Sequence, residues 1–506
     1  MTTARQKADE FLAVAAKFQL GSLPTEQRHP LTYELADLSR NNIPEALRIM
    51  TDIDVGVIKD VLAKVPELTK LEASIRDTFA AGNRVFFYGC GATGRLSLSI
   101  EYIWRFIHRG RPEANNVMGF MSGGDLALVH SIENFEDHPE FGARQLREIG
   151  FGPHDLLVSC TEGGETPSVI GATEEAARIS SRKPFFLYCN PDHALHEQVE
   201  RSRLVLENDR IEKICLFVGP MALSGSTRMQ ASTALMLGAG AALLQADIAE
   251  FLSFVQETDL SFLQDFIAEE SRIYAAGEYL LYETNDYGMT IVTDTTERSP
   301  TFSLLAFENA NDPARAPALS YFTLPHTGNS EAAWQALLLR DPIAIEWDEL
   351  RAVAGRSRLI GFDFSAQARR QREKRTASAK LHTFRIERQG NEMQFSLGNL
   401  RHNVDVTSLH PLFEHLFLKI ALNMHSTLVM GRHGRFESNV MTWVKPSNKK
   451  LIDRSIRYVE YLLHHQNIMQ FSYADICHQL FEEAERMTPA ESVVLMTVES
   501  LKKRRC

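Results

Sequence analysis

The chain has 506 residues, 54 Lys+Arg against 65 Asp+Glu and a formal net charge of −11, with 44% hydrophobic and 24% charged residues. That is ordinary globular composition, long enough for two to four domains at roughly 100–200 residues each. The acidic balance argues against nucleic acid or an anionic membrane as the main partner. The longest uncharged apolar run, about 234–244, falls short of the roughly 20 residues a membrane helix needs. Six cysteines (Cys90, Cys160, Cys189, Cys215, Cys477 and Cys506) are scattered without a Cys-x-x-Cys pair, and the first ten residues lack a signal-peptide core. The expectation is a soluble cytoplasmic protein with no disulfide scaffold, no metal and no organic cofactor.

Residues 1–60 read as a helical segment, with apolar positions at helical spacing in Ile49, Ile53, Val57, Ile58, Val61 and Leu62. A first α/β unit is expected over 61–250. Its strands are the runs 84–88, 117–121, 155–159 and 184–188, each ending in a Gly, Ser, Thr or Asn-Pro loop. A second unit is expected over 251–452, helical at 246–282 and then with strands at 288–292, 318–323 and 342–347. The polar segment 366–380, with Arg369, Arg370, Arg372, Lys374 and Arg375, reads as a solvated helix face. The chain is helical from Leu409 onward. Residues 453–506 serve either as a lid or as terminal helices packed on the second unit, because amphipathic spacing at Ile476, Leu480, Ala484 and Met487 does not separate the two. The fold class is α/β: two tandem units, each a parallel sheet between helical layers as in flavodoxin-like and Rossmann-like folds, with a helical C-terminal lid.

In such sheets ligands bind beyond the carboxyl ends of the strands. The loop Gly89-Cys90-Gly91-Ala92-Thr93-Gly94 matches G-x-G-x-x-G between a strand and a helix, a context that suits a dinucleotide or any phosphate at a helix N-terminus. A dinucleotide reading needs an acidic residue after the next strand. Asp125 comes late, 125 − 94 = 31 positions past Gly94. A second loop, Thr161-Glu162-Gly163-Gly164-Glu165-Thr166, offers two hydroxyls around a flexible turn, and Ser224-Gly225-Ser226-Thr227-Arg228 opens a further helix. Three hydroxyl-bearing loops suit a phosphate monoester on a polyhydroxy ligand better than a dinucleotide, with Arg95, Arg228 or Lys419 as the local cation. His193, His196 and Glu197 lack the H-E-x-x-H order and read as structural or exposed. Cys90 reads as a small packed residue, although loop amides could lower its pKa, and His425 as a packing residue.

The 161–166 loop resembles the S-x-S-G-E-T loop of sugar isomerase (SIS) domains, with Gly163 where the second serine usually stands. Gly89 to Leu96 resembles the G-x-G-T-S-G-R-L loop of two SIS families, N-acetylmuramic acid 6-phosphate etherase and glucokinase regulatory protein. Further shared motifs are similar to Thr25-Glu-Gln-Arg28-His-Pro30, Ser122 to Asp125, Glu133 to Asp137, Gly225 to Met229, Lys419 to Thr427 with Gly434-Arg435 and Asn439 to Met441, and Lys445 to Leu451. Two strand sets in 506 residues resemble the layout of the regulatory protein, which has two SIS domains and a lid.

The resemblance implies a site for a phosphorylated sugar. It implies phosphate contacts from Thr93, Thr161 and Thr166 with the amides of Gly94 and Gly163, and a loop lined by Gly91, Ala92, Arg95 and Glu162. Ser224 and Ser226 line the site, Glu136 accepts sugar hydroxyls, and Lys419 closes the site from the other half. A sugar-kinase partner or self-association accompanies a regulatory role. In the alternative, the etherase chemistry, a carboxylate takes the C2 proton and a carboxylic acid protonates the departing lactate oxygen; an aldose–ketose isomerase would use the same base. Glu136 matches the family's base. The family's acid aligns with Ile103, which has no proton to give, and Glu101 lies on another face of the helix. The stretch Asp294 to Phe302 is similar to the missing acid segment, so Glu297 could reach across a pseudo-dimer. It also reads as the second unit's own Thr/Ser turn, the reading preferred here because the expected strand 288–292 runs straight into it.

Overall fold

The structure, a computed structural model, describes residues 3–132, 135–312, 314–488 and 491–504. Glu133 and Asn134 of the 133–137 motif, and Cys506, lie outside the described residues. Among those residues no helix is long and apolar enough to cross a membrane.

The first sheet contains β1 (Val85–Gly89), β2 (Val117–Met121), β3 (Leu156–Cys160), β4 (Phe185–Tyr188) and β5 (Glu212–Cys215), in the order β2-β1-β3-β4-β5 with every pairing parallel. β1, β3 and β4 are buried along their whole length, which explains their continuous apolar runs. The chain leaves β1 toward β2 on one side and reaches β3 on the other, so a crevice opens beyond the carboxyl ends of β1 and β3. The glycine-loop helix, Ala92–Ile107, follows β1, and the helix Pro167–Ile179 follows β3.

The second sheet contains β6 (Tyr279–Glu283), β7 (Ser320–Thr323), β8 (Leu381–Gln389), β9 (Glu392–Leu397) and β10 (Leu400–Asp405), in the order β10-β9-β8-β6-β7. β6 sits between two parallel neighbours, β7 and β8, as β1 sits between β2 and β3. The two sheets then diverge. Gly390-Asn391 and Gly398-Asn399 are two-residue turns whose glycines adopt φ of 63° and 59°, and they fold β9 and β10 back antiparallel. The tandem α/β architecture stands, but the second sheet is mixed rather than parallel.

Two expected strands are not strands. Residues 288–292 begin a helix, Gly288–Phe302, here called the bridging helix. Its β-branched Thr290, Ile291 and Val292 favour a strand locally, but packing against the long buried helix Pro411–Arg432 overrides that preference. Residues 342–347 run along the first unit instead: the Ile343 carbonyl accepts from Asp125 N–H at 2.9 Å, and Ile345 and Trp347 pack with Phe135. The basic segment is only partly a solvated face. Arg372 is buried on Glu308, and Arg369 pairs with Glu283 and Glu373. At the C-terminus the helices Lys449–His465, Tyr473–Arg486 and Val493–Lys503 pack on one another, and Phe481 meets Phe11 of the helix Ala4–Leu12.

Candidate functional site

The glycine loop and the 161–166 loop leave adjacent strands in register, Gly89 opposite Cys160. Gly91 caps the glycine-loop helix at φ 55°, a left-handed conformation that a side chain would strain. A Cβ on Gly94 would sit 2.5 Å from Met121 Cβ, so only glycine brings the backbone this close to β2. Ala92 opens the helix beside them, partly exposed. The Thr93 hydroxyl accepts from Cys90 N–H at 3.0 Å and donates to the Cys90 carbonyl at 2.8 Å, so it shapes its own loop. In the second loop the Thr161 and Thr166 hydroxyls lie 3.1 Å apart at the start of the helix Pro167–Ile179, and Asn190 Nδ2 fixes the turn by donating to Gly163 O at 3.0 Å. The same amide also donates to Thr25 Oγ1, so the Thr25–Pro30 motif straps the loop from outside.

The third turn is held from the far half of the chain. Lys419 Nζ donates to the Arg228 carbonyl at 2.9 Å, to Thr233 Oγ1 at 2.8 Å and to Asn423 Oδ1 at 3.1 Å. The ammonium expected to close on a ligand instead fixes the turn that carries Ser226, and burial pulls its proton affinity down. Ser224 Oγ donates to the Glu26 carbonyl at 3.2 Å, a bond within the frame. Among the described residues Ser226 Oγ, Glu162 Oε1 and Arg95 Nε are buried without a hydrogen-bond partner.

Carboxyl groups dominate the centre. Glu136 Oε1 accepts from Asn448 Nδ2 at 2.6 Å, and Oε2 accepts from Cys90 Sγ at 3.4 Å. Burial raises the Glu136 pKa above its ordinary 4.5 although Lys450 opposes the rise. Glu162 is pushed up to about 8, first by burial, against the pull of its own backbone N–H and Lys450, with the charges of Glu297 and Glu136 adding to the rise. Burial also raises Glu165, yet Lys450 (2.9 Å) and Arg201 (2.5 Å) outweigh it and hold that carboxyl at about 2. The Cys90 thiol is pushed well above its ordinary value by burial and by Glu136, so loop amides do not activate it.

The decisive placement is Glu297. It projects from the bridging helix and pairs with Arg95 of the glycine-loop helix, Oε1 to Nη1 2.6 Å, with the Glu297 side chain 12% exposed. The turn reading of 294–299 fails because the segment is helical and reaches the first unit; Thr296 Oγ1 also donates to the Leu128 carbonyl at 2.9 Å. Glu101 is fixed by Arg105 and Arg340, and Asp125 by Arg340 and Ile343 N–H, so neither is available to a ligand or a ribose. His196 pairs with Glu207 at the surface, and His425 is buried on Glu270.

Residues 67–176 match a family model described as the glucokinase regulatory protein N-terminal SIS domain. An N-acetylmuramic acid 6-phosphate etherase of Aliivibrio fischeri is 30% identical over 218 residues, 43% of this chain and 67% of that protein. This chain belongs to the sugar isomerase domain family. A second relative named as that etherase, from Rhodopirellula baltica, is 33% identical over 216 residues, 43% of this chain and 66% of that one. Among solved structures, tagatose-6-phosphate ketose/aldose isomerase from Escherichia coli is similar at a TM-score of 0.41 and 12% identity, over 78% of this chain and 97% of that chain.

Three contributors to this SIS site were not assigned from sequence. Lys450 and Asn448 lie in the 445–451 motif, whose letters carried the resemblance without a role. Glu26 lies in the Thr25–Pro30 motif and receives Arg454 (2.6 Å) and Arg457 (3.0 Å), which with Lys450 hold it at about 2 against the rise that burial alone gives. Removing one member of such a cluster leaves buried charge unpaired, at a cost of about 3–5 kcal/mol. Glu26→Gln is therefore expected to lower the melting temperature by many degrees and to loosen the 161–166 loop, read as faster amide exchange at Gly163 and Gly164.

Glu162 has the opposite sign. The unfolded chain releases this proton near 4.5 and the folded chain keeps it until about 8, so the contribution of Glu162 to stability declines as pH rises through that window. Glu162→Gln is expected to stabilise the protein at pH 8 by on the order of 3 kcal/mol and hardly at all at pH 4.5. Melting curves of both proteins across that range measure the difference directly.

Proposed function

We propose that this SIS protein is a carbon–oxygen lyase acting on a 3-O-lactyl hexosamine 6-phosphate such as N-acetylmuramic acid 6-phosphate. One observation carries the reading: Glu297, delivered from the second unit onto Arg95, supplies the carboxyl that the first unit's own helix lacks at Ile103. The phosphate is bound by Thr161, Thr166, Ser226 and the N-terminus of the helix Pro167–Ile179, and it competes with Glu297 for Arg95. Glu136 takes the C2 proton, the C3–O bond breaks, and Glu297, once protonated, gives its proton to the departing lactate oxygen. Water then adds across the new double bond, so that lactate and the free hexosamine phosphate are the products.

The two units bear differently on the reaction. In the glycine-loop helix the position eight past Arg95 is Ile103 (95 + 8), and in the bridging helix the position eight before Glu297 is Met289 (297 − 8). The polar pair Arg95–Glu297 thus has an apolar counterpart, Met289 and Ile103, both buried. Tyr102, one place before Ile103, donates to the Asp286 carbonyl at 3.1 Å, just as Thr296, one place before Glu297, reaches Leu128. The reading therefore gives one working site per chain. The test is lactate release from N-acetylmuramic acid 6-phosphate, quantified against enzyme concentration.

A second reading is a regulatory sugar-phosphate sensor, favoured by the way Asn448 and Lys450, at the start of the C-terminal helices, bind Glu136 and Glu165. There the helices of 453–506 are a lid that responds to occupancy, a difference in affinity between two states. Hexose or hexosamine phosphates that raise the melting temperature with no turnover of any of them support that reading over the lyase.

A further inference from the structure

Phe135, the neighbour of Glu136, belongs to neither of the two large cores among the described residues. It shares a small core of its own with Ile345, Trp347 and Ala354, all from the second unit. The turn that carries Phe135 and Glu136 has little backbone support. Phe135 N–H donates to the Ile132 carbonyl and His138 N–H to the Phe135 carbonyl, both at 3.4 Å, beyond the usual range for such bonds. The packing of Phe135 is therefore what fixes this turn.

Trp347 is the ring on which it packs. The two rings stack with centroids 5.7 Å apart and planes 22° apart, and Trp347 meets Phe141 edge-on at 5.4 Å. The Arg144 guanidinium lies over the indole at 4.1 Å. The indole N–H donates to Glu148 Oε2 at 2.5 Å, so the ring cannot turn without breaking that bond. Trp347 is 3% exposed.

The segment that brings this ring, 340–354, is tied down on the first unit. Arg340 pairs with Asp125 at 2.6 Å and with Glu101 at 2.9 Å, and Ile343 N–H donates to Asp125 Oδ2 at 2.6 Å. Beyond the tryptophan, Leu350 N–H and Arg351 N–H donate to the Trp347 carbonyl at 2.9 Å and 2.7 Å and close the chain into a short turn. Phe135 thus rests on a fixed surface.

We propose that Trp347 is a positioning residue for the Glu136 base, an inference that rests on the lyase reading. Asn448 and Cys90 orient the carboxylate oxygens of Glu136. Trp347, through Phe135, sets the main-chain position from which the side chain reaches them. Glu297 comes from the bridging helix and Trp347 from 340–354, so the second unit locates both carboxyls of the reaction. Such placement matters because a displacement of about 1 Å can cost about 10²-fold in rate.

The test is lactate release from N-acetylmuramic acid 6-phosphate, with kcat and KM resolved, in Trp347→Ala, Trp347→Leu and Trp347→Phe. Expected for the first two is a fall in kcat of about 10²-fold with KM unchanged, since the phosphate contacts lie on other loops. Trp347→Phe keeps a ring on Phe135 and should retain most of the rate. In a Glu136→Gln background neither Trp347→Ala nor Trp347→Leu should cost anything further, because the group being positioned is gone; a general loosening of the fold would cost the same again. Trp347→Leu keeps the test valid if Trp347→Ala does not fold. The proposal is overturned if kcat is unchanged in Trp347→Leu, if Trp347→Phe falls as far as Trp347→Leu, or if the loss repeats in the Glu136→Gln background. An unaltered chain that releases no lactate overturns the lyase reading itself, and this assignment with it.

Discussion

Glu297→Gln is expected to cut lactate release from N-acetylmuramic acid 6-phosphate by about 10²–10⁴-fold, the range that a positioned proton donor contributes. Glutamine keeps the shape of the side chain and can hydrogen-bond, but it has no proton of suitable acidity for the departing alkoxide. Because Arg95 then loses its anionic partner, the phosphate no longer competes with a carboxylate, and ligand affinity, read as a shift in melting temperature, should hold or rise. A fall in turnover without a fall in binding is what separates a proton donor from a structural ion pair. Ile103→Val, at the counterpart position, is expected to leave turnover unchanged and to cost about 0.5–1.5 kcal/mol of stability through the lost methylene. If the unaltered protein releases no lactate while phosphosugars still stabilise it, the sensor reading replaces the lyase.

Much of the first unit was legible because its strands are central. Phe86, Phe87 and Tyr88 of β1 are buried on both faces, so the run has no polar alternation to obscure it, and β1, β2 and β3 each stop at a glycine or hydroxyl loop. The second unit was harder for physical reasons. β6, Tyr279–Glu283, follows directly on the helical spacing of 263–275, and only pairing with β7 and β8 makes it a strand. In β8 the buried Phe384 and Ile386 alternate with the exposed Arg385, an edge-like pattern that depends on the antiparallel hairpin beyond it. Site loops could be read from their letters, whereas the groups that set their charge could not. Asn448 lies 312 positions from Glu136, and Lys450 lies 285 from Glu165, so nothing local ties them to the loops they serve. Lys419 shows the converse. Its position in a shared motif suggested a ligand contact, but four protein acceptors hold its ammonium.

Glu136→Gln is expected to have the larger effect, because removing a proton from carbon is the step with no route through bulk water at neutral pH. Lactate release should fall by about 10³–10⁴-fold, and phosphosugar binding should change little, since the glutamine oxygen can still accept from Asn448 while its amide nitrogen turns toward Cys90 Sγ. The pH profile of the unaltered protein gives an independent check. Glu136 must be ionised to act, and burial has raised its pKa, so the rising limb of kcat/KM should lie above the ordinary carboxylate value of 4.5. Glu162 must stay neutral beside an incoming phosphate. As it ionises near 8 it adds a negative charge to a site already holding Glu136 and Glu297, and affinity should decline there. In Glu162→Gln the alkaline limb should move upward while the acid limb stays in place. If both limbs are unmoved in that variant, Glu162 does not face the phosphate, and the 161–166 loop binds it through Thr161, Thr166 and backbone amides alone.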